Sequence, residues 1–228
     1  MLAPVIPATS FGQTCLGQVT AVNDPDGLNR VKLKLLSYDG FDGQDSEQWA
    51  RVATPFAGNN KGAFMLPDVG DEVLVSFVNG DTRFPVVIGS FWNGSDSAPE
   101  TLGGSGDSID RWTIVGKRGT RIAIEEETAG QEKIKLTTPN DMSIELTDQG
   151  GGKLECRVAG TTITVDPSGV SIDCPATVSV TATKVEVSAG MVDVSAGISK
   201  FSGVVQCDTL ISNAVISSSY TPGAGNIW

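Results

Sequence analysis

Histidine is absent from this 228-residue chain, and its four cysteines, Cys15, Cys156, Cys174 and Cys207, form no CxxC pair. Those two lacks remove the usual structural zinc patterns, and no metal or other cofactor is expected. With no histidine base, no serine or cysteine is activated in the Ser-His or Cys-His manner. The wide cysteine spacing does not suggest a disulfide framework, and the four read as small core hydrophobes. No apolar run approaches a membrane span. Met1 to Ser10 holds neither a basic residue nor an apolar stretch of signal-peptide length, so assembly in a cytoplasm is the expectation. Cations are scarce: 16 Lys and Arg against 27 Asp and Glu leave a net charge of −11. Nucleic-acid affinity rests on cations that neutralise phosphates, so this balance argues against DNA or RNA. Excess acid also keeps a protein soluble without any partner.

Aromatic residues are scarce in the second half. Ten of the fourteen lie between Phe11 and Trp92, and only Phe201, Tyr220 and Trp228 follow Trp112. Bulky rings suit the middle of a compact domain, which reads here as a globular front with a slender back. Abundant Gly, Val, Thr and Ser lean towards strands and tight turns. In the front, Gly17 to Val22 runs into Asn23-Asp24-Pro25-Asp26-Gly27, after which Arg30 to Leu35 alternates with period two. Proline presets a turn and glycine allows positive φ, so this spells a hairpin. Further strands are predicted at 48–53, 72–77 and 86–91, enough for a small closed barrel filled by the aromatics. The Gly-, Ser- and Asp-rich stretch 94–110 reads as a linker. Strands resume at 112–115, 121–125, 133–136 and 142–146.

After Gly152 a repeat emerges. Segments 177–183, 184–190 and 191–197 are copies of one seven-residue unit, with a shortened fourth at Ile198 to Gly203. Heptads of a coiled coil space apolar residues three and four apart. Here the spacing is two: Val178/Val180, Val185/Val187, Val192/Val194. That puts each pair on one face of a strand, with small residues at the corner. Looser copies extend the run back to Leu154/Cys156/Val158, Ile163/Val165 and Val170/Ile172/Cys174. Such strands have one apolar face and open edges, and seven residues are too few for a single-chain coil. Three identical chains wound about one axis bury the valines and pair the edges. Val178, Val180, Val185, Val187, Val192, Val194 and Phe201 are the predicted trimer core.

The front also resembles a known family. Gly17-Gln18-Val19, Asn23-Asp24-Pro25-Asp26-Gly27 and Arg30-Val31-Lys32-Leu33 look like the first hairpin of the spike OB-fold shared by phage baseplate assembly protein V and the VgrG proteins. Trp49 to Pro55, Ala57-Gly58, Gly62-Ala63-Phe64, Leu66 to Phe77 and Pro85 to Ser90 follow in the family's order over about 75 residues. Gly116 to Ile122 and Lys133 to Leu136 resemble the start of its β-helix. The resemblance implies an all-β fold: an N-terminal OB-fold barrel followed by an intertwined triple-stranded β-helix formed by a homotrimer. It also implies a non-enzymatic spike of a contractile injection system. A baseplate hub protein would sit at the OB-fold end, a PAAR-type tip protein at the other, and the target cell membrane would be met on firing. The chain lacks the fused hub and the lysozyme-like insert of some relatives, so the hub is expected as a separate chain. It also lacks the C-terminal His-x-His that holds an apical iron in some phage spikes.

The expected division is 1–13 extension, 14–93 OB-fold, 94–110 linker, 111–152 β-helix base, 153–216 spike and 217–228 tip. Ile227 and Trp228 in the tip are costly to leave in water and are the candidates for docking a cap. Asp39, Asp42, Asp45 and Glu47 do not follow an EF-hand loop and read as a solvated loop. Glu125, Glu126 and Glu127 alternate faces and so do not form a catalytic pair. A trimeric tail fibre or tailspike that binds polysaccharide is the competing reading, and a nucleic-acid-binding OB protein is disfavoured by charge.

Overall fold

The computed structural model describes residues 14–36 and 47–218. Its first strands are β1 (Cys15–Ala21), β2 (Val31–Leu35), β3 (Gln48–Val52), β6 (Glu72–Phe77) and β7 (Pro85–Phe91), which close a barrel in the order β1-β2-β3-β7-β6. A two-stranded ribbon, β4 (Ala57–Gly58) with β5 (Lys61–Gly62), hangs outside it. β3 and β7 run parallel, and every other barrel pair is antiparallel. Register shifts at Val19/Ala21 and Leu74/Val75 supply the local bends that closure requires. The expected small barrel is thus present, with its strands close to where alternation placed them.

Its filling differs from the expectation. The buried core is Val19, Val31, Leu33, Leu35, Ala50, Val73, Val75 and Val87, all aliphatic. Five strands enclose a narrow space, and short branched side chains fill it. A β-carbon on Gly17 would already stand 3.1 Å from the Val75 side chain. Phe77 packs at the margin, while Phe56, Phe64, Phe84, Phe91 and Trp92 lie exposed outside. The rings of the front half therefore decorate the barrel instead of filling it.

The β1–β2 turn shows why the Asn-Asp-Pro-Asp-Gly sequence folds as it does. The Asp24 carboxylate, almost wholly buried, accepts hydrogen bonds from the backbone N–H of Asp26, Leu28 and Arg30 and two from the Arg30 guanidinium. Arg30 in turn stacks 5.7 Å above Trp49 on β3. The Arg30 guanidinium, helped by those backbone donors, holds the Asp24 carboxyl well below the ordinary carboxylate range. A carboxyl depressed on folding stabilises above its unfolded value of 3.8, and that contribution fades as pH falls through the folded value. Asp24→Asn should therefore lower the urea midpoint of the barrel at neutral pH. Its gap from wild type should narrow as pH is taken from about 7 towards about 2. A gap that stays constant over that range would mean that the charge is not what holds the turn.

Beyond the barrel, β8 (Arg111–Val115), β9 (Arg121–Glu125), β10 (Lys133–Thr137), β11 (Ser143–Thr147), β12 (Lys153–Val158), β13 (Thr161–Asp166) and β14 (Gly169–Asp173) form one seven-stranded antiparallel meander in sequence order. The change of character expected after Gly152 falls later. β12, β13 and β14 carry on the meander as hairpins, and past Asp173 no described residue is in a strand or helix. The segment read as a linker is strapped to this sheet. Glu100 bonds both Arg111 and Arg121, and the Glu126 N–H donates to the Asp110 carbonyl at 2.9 Å. Arg121 first, and Arg111 with it, holds the Glu100 carboxyl below its usual range. Lys117 in the β8–β9 turn bonds Asp68 in the barrel loop before β6.

The chain divides after Thr177. Within the second unit, Val178, Val180, Val185, Val187, Val192, Val194 and Phe201 are all at least 60% exposed. Lys184 and Glu186 pair at 2.7 Å.

Candidate assembly interface

The meander sorts its side chains by face. Cross-strand register aligns Trp112, Ile124, Ile134, Leu146, Leu154, Val165 and Val170 in one row. A second row on the same face holds Ile114, Ile122, Leu136, Ile144, Cys156, Ile163 and Ile172. Each row takes one residue from every strand, and together they make a continuous apolar face two residues wide. Apart from Leu154 and Cys156, which are half-buried, these residues are 39% to 71% exposed.

The opposite face is polar and the better covered of the two. Ala123 and Thr147 are buried there, and ion pairs cover it: Arg121–Glu125 along β9, Lys153–Glu155 and Arg157–Glu155 along β12, and Lys135–Glu145 at 3.5 Å between β10 and β11. Charged stems lying over one another shield that side within a single chain. An isolated sheet that satisfies its polar face and leaves its apolar face open is half of a packed structure. The repeat valines pose the same problem over the next stretch of sequence.

Sequence reasoning named the valines and missed most of the apolar face. Its strands were legible singly, but the alignment of their alternate residues into two rows depends on register, which single-strand patterns do not give. Of the other residues singled out, Asp39, Asp42, Asp45, Ile227 and Trp228 lie outside the described residues. Glu47 pairs with Lys32 at 2.5 Å. Glu125 and Glu127 are bound to Arg121 and Arg111, which leaves neither as a free acid or base. Among the described residues, no group of three or more His, Cys, Asp or Glu is placed to hold a metal ion. On the barrel, the exposed Phe64 beside the β4–β5 ribbon flanks an open groove of about 630 Å³ that Leu28, Arg51, Lys61 and Leu66 also line.

Comparison with known proteins speaks to both halves. Residues 15–92 match the family of the type VI secretion system/phage-baseplate injector OB domain. Residues 133–197 match the phage baseplate V C-terminal trimerisation domain, a span that contains β10 to β14 and the three full seven-residue copies. Type VI secretion system spike protein VgrG3 of Vibrio cholerae is 31% identical over 120 residues, which is 51% of this chain and 12% of that protein. Spike protein VgrG1c of Pseudomonas aeruginosa is 28% identical over 127 residues, 53% of this chain and 17% of its own length. A Vibrio cholerae relative named actin cross-linking toxin VgrG1 is 30% identical over 100 residues, 9% of its length. This chain thus spans a minor part of each relative. A closed OB barrel matching the injector family, followed by a one-faced strand array matching the trimerisation domain, places the chain in the family of phage baseplate V and VgrG-type spike proteins.

Proposed function

We propose that the chain is the non-enzymatic central spike of a contractile tail baseplate or related injection particle and acts as a homotrimer. The observation that carries this reading is the uncovered apolar face of the meander, continued in sequence by exposed valines at every second position. Three copies set about one axis give that face a partner of its own kind and pair the open strand edges. The repeat segment then winds as an intertwined triple-stranded β-helix. The OB barrels dock on a baseplate hub protein, for which the exposed rings and the groove beside the β4–β5 ribbon offer a surface. The rod points at the target cell envelope, which it punctures when the sheath contracts. Its work is mechanical: a β-helix paired between chains must be disentangled before it yields.

A blunt trimeric end needs a cover, and a PAAR-type tip protein is the reading for it, with Ile227 and Trp228 as its docking residues. Deletion of 220–228 should leave a normal trimer by sedimentation that no longer retains its cap in pull-downs. Unchanged cap retention would remove the tail as the docking element, whereas a wild-type chain that sediments as a folded monomer would sink the spike reading itself.

A further inference from the structure

We infer that adjacent copies in the trimer are joined by an electrostatic seam, in which the Gly116–Thr120 turn of one copy docks on the acidic edge of the next and Arg118 is the reaching cation. This rests on the trimeric reading above. Turns of an antiparallel meander alternate between its two edges, so the β8–β9, β10–β11 and β12–β13 turns share one edge and the β9–β10, β11–β12 and β13–β14 turns share the other. Prolines mark the stacking along each edge. A side chain on Gly119 would meet Pro139 of the next turn on its edge, and one on Gly151 would meet Pro167 on the other.

The two edges differ in charge. Segment 116–120 carries Lys117 and Arg118 and no acid, while segment 126–132 carries Glu126, Glu127 and Glu132 and no cation. Asp148 follows in the next turn on that acidic edge, and Asp141 in the next turn on the other, so the edges carry four acids against two cations and one acid. Some of this charge is engaged within the chain: Lys117 bonds Asp68, and Glu127 bonds Arg111. Arg118 is exposed and, like Glu126 and Asp148, has no side-chain partner among the described residues, and Glu132 accepts from backbone N–H groups, its own and that of Gly130.

The acidic edge also has the shape of a receptor. A groove of about 480 Å³ opens there, floored by Ile124, Ile134 and Leu146 and rimmed by three acids, Glu126, Glu132 and Asp148, against two cations, Lys133 and Lys153. Its floor is the apolar row nearest that edge, so the groove continues the face assigned to the trimer. An arginine suits it, because the stem covers apolar floor while the guanidinium reaches the rim. Copies related by a three-fold axis lie at one level. The donor turn then sits one strand above the β9–β10 turn, an offset of about 4.8 Å that an arginine spans. Basic edge to acidic edge is a heterologous contact, which three copies close into a ring, whereas acidic edge against acidic edge would repel.

The test uses the full-length chain and the rate of trimer loss in urea, followed by size-exclusion chromatography of timed samples at low and high salt. At low salt, R118E should speed dissociation about tenfold, since three seams of ordinary surface-pair strength act together. E126K/E132K should do the same, and R118E/E126K/E132K should return the rate close to wild type. High salt should shrink all of these differences. A trimer that forms and dissociates at the wild-type rate in R118E overturns the seam and leaves the trimeric reading standing, as does a triple variant no slower than the singles. A wild-type chain that is monomeric with its strands intact overturns both.

Discussion

Val187→Asp should abolish trimer assembly, while Glu186→Lys, one residue away, should be nearly silent. Both side chains are exposed on the single chain, so nothing in the isolated fold separates them. The difference comes from the side each occupies. Glu186, which pairs with Lys184, is assigned to the outside of the proposed β-helix. Val187 alternates with it and faces the shared axis in the proposed β-helix. An aspartate there places three carboxylates in one layer of an apolar core, without cations or donors to meet them. Each uncompensated buried charge costs several kcal/mol, and the three also repel one another. The valines that they replace would each have contributed roughly 1.5–3 kcal/mol. Sedimentation of the two variants beside wild type reads the outcome. Equal behaviour, whether both trimeric or both monomeric, would contradict the inward assignment of the valines.

What the sequence made legible, and what it hid, follows from the range of each signal. β9 and β6 fall where alternation places them because their patterns are local. The Asn-Asp-Pro-Asp-Gly turn was equally plain, since its residue types act on their own backbone through Asp24. The end of the meander was not legible. Leu154/Cys156/Val158, Ile163/Val165 and Val170/Ile172 have the same two-residue spacing as the later valines, and that spacing does not say whether the chain reverses between strands. It does reverse, through Ala159-Gly160 and Pro167-Ser168. Ala159 takes a positive φ of 51°, an uncommon conformation for alanine and one that the hairpin signal Asn-Gly would have announced. The aliphatic barrel core was hidden for another reason. Ring count per segment measures how much aromatic surface is present, not which side of a closed barrel it occupies, and a five-strand barrel has little room inside.

Leu136→Asp carries the other large expected effect, because it asks whether the trimer runs through the meander as well as the repeat. Leu136 stands in the middle strands of an apolar row, opposite Ile122 on β9 and Ile144 on β11. Its exposure of 39% is what remains after those neighbours have covered its flanks within the chain. Covering that remainder in three copies and then replacing each leucine with a carboxylate forfeits three apolar contacts and buries three charges at once. Loss of the trimer is expected even though the valines of the repeat remain unchanged. The matching control is Lys135→Gln on the polar face. It breaks only the 3.5 Å pair with Glu145, a partly exposed interaction worth about 1 kcal/mol or less. That variant should assemble normally. The barrel serves as an internal reference in both, since its core of Val, Leu and Ala shares no buried residue with the meander and should unfold at the same urea concentration. If Leu136→Asp remains fully trimeric and as resistant to urea as wild type, the apolar face is covered by something other than a second copy, and the trimer is held by the repeat alone.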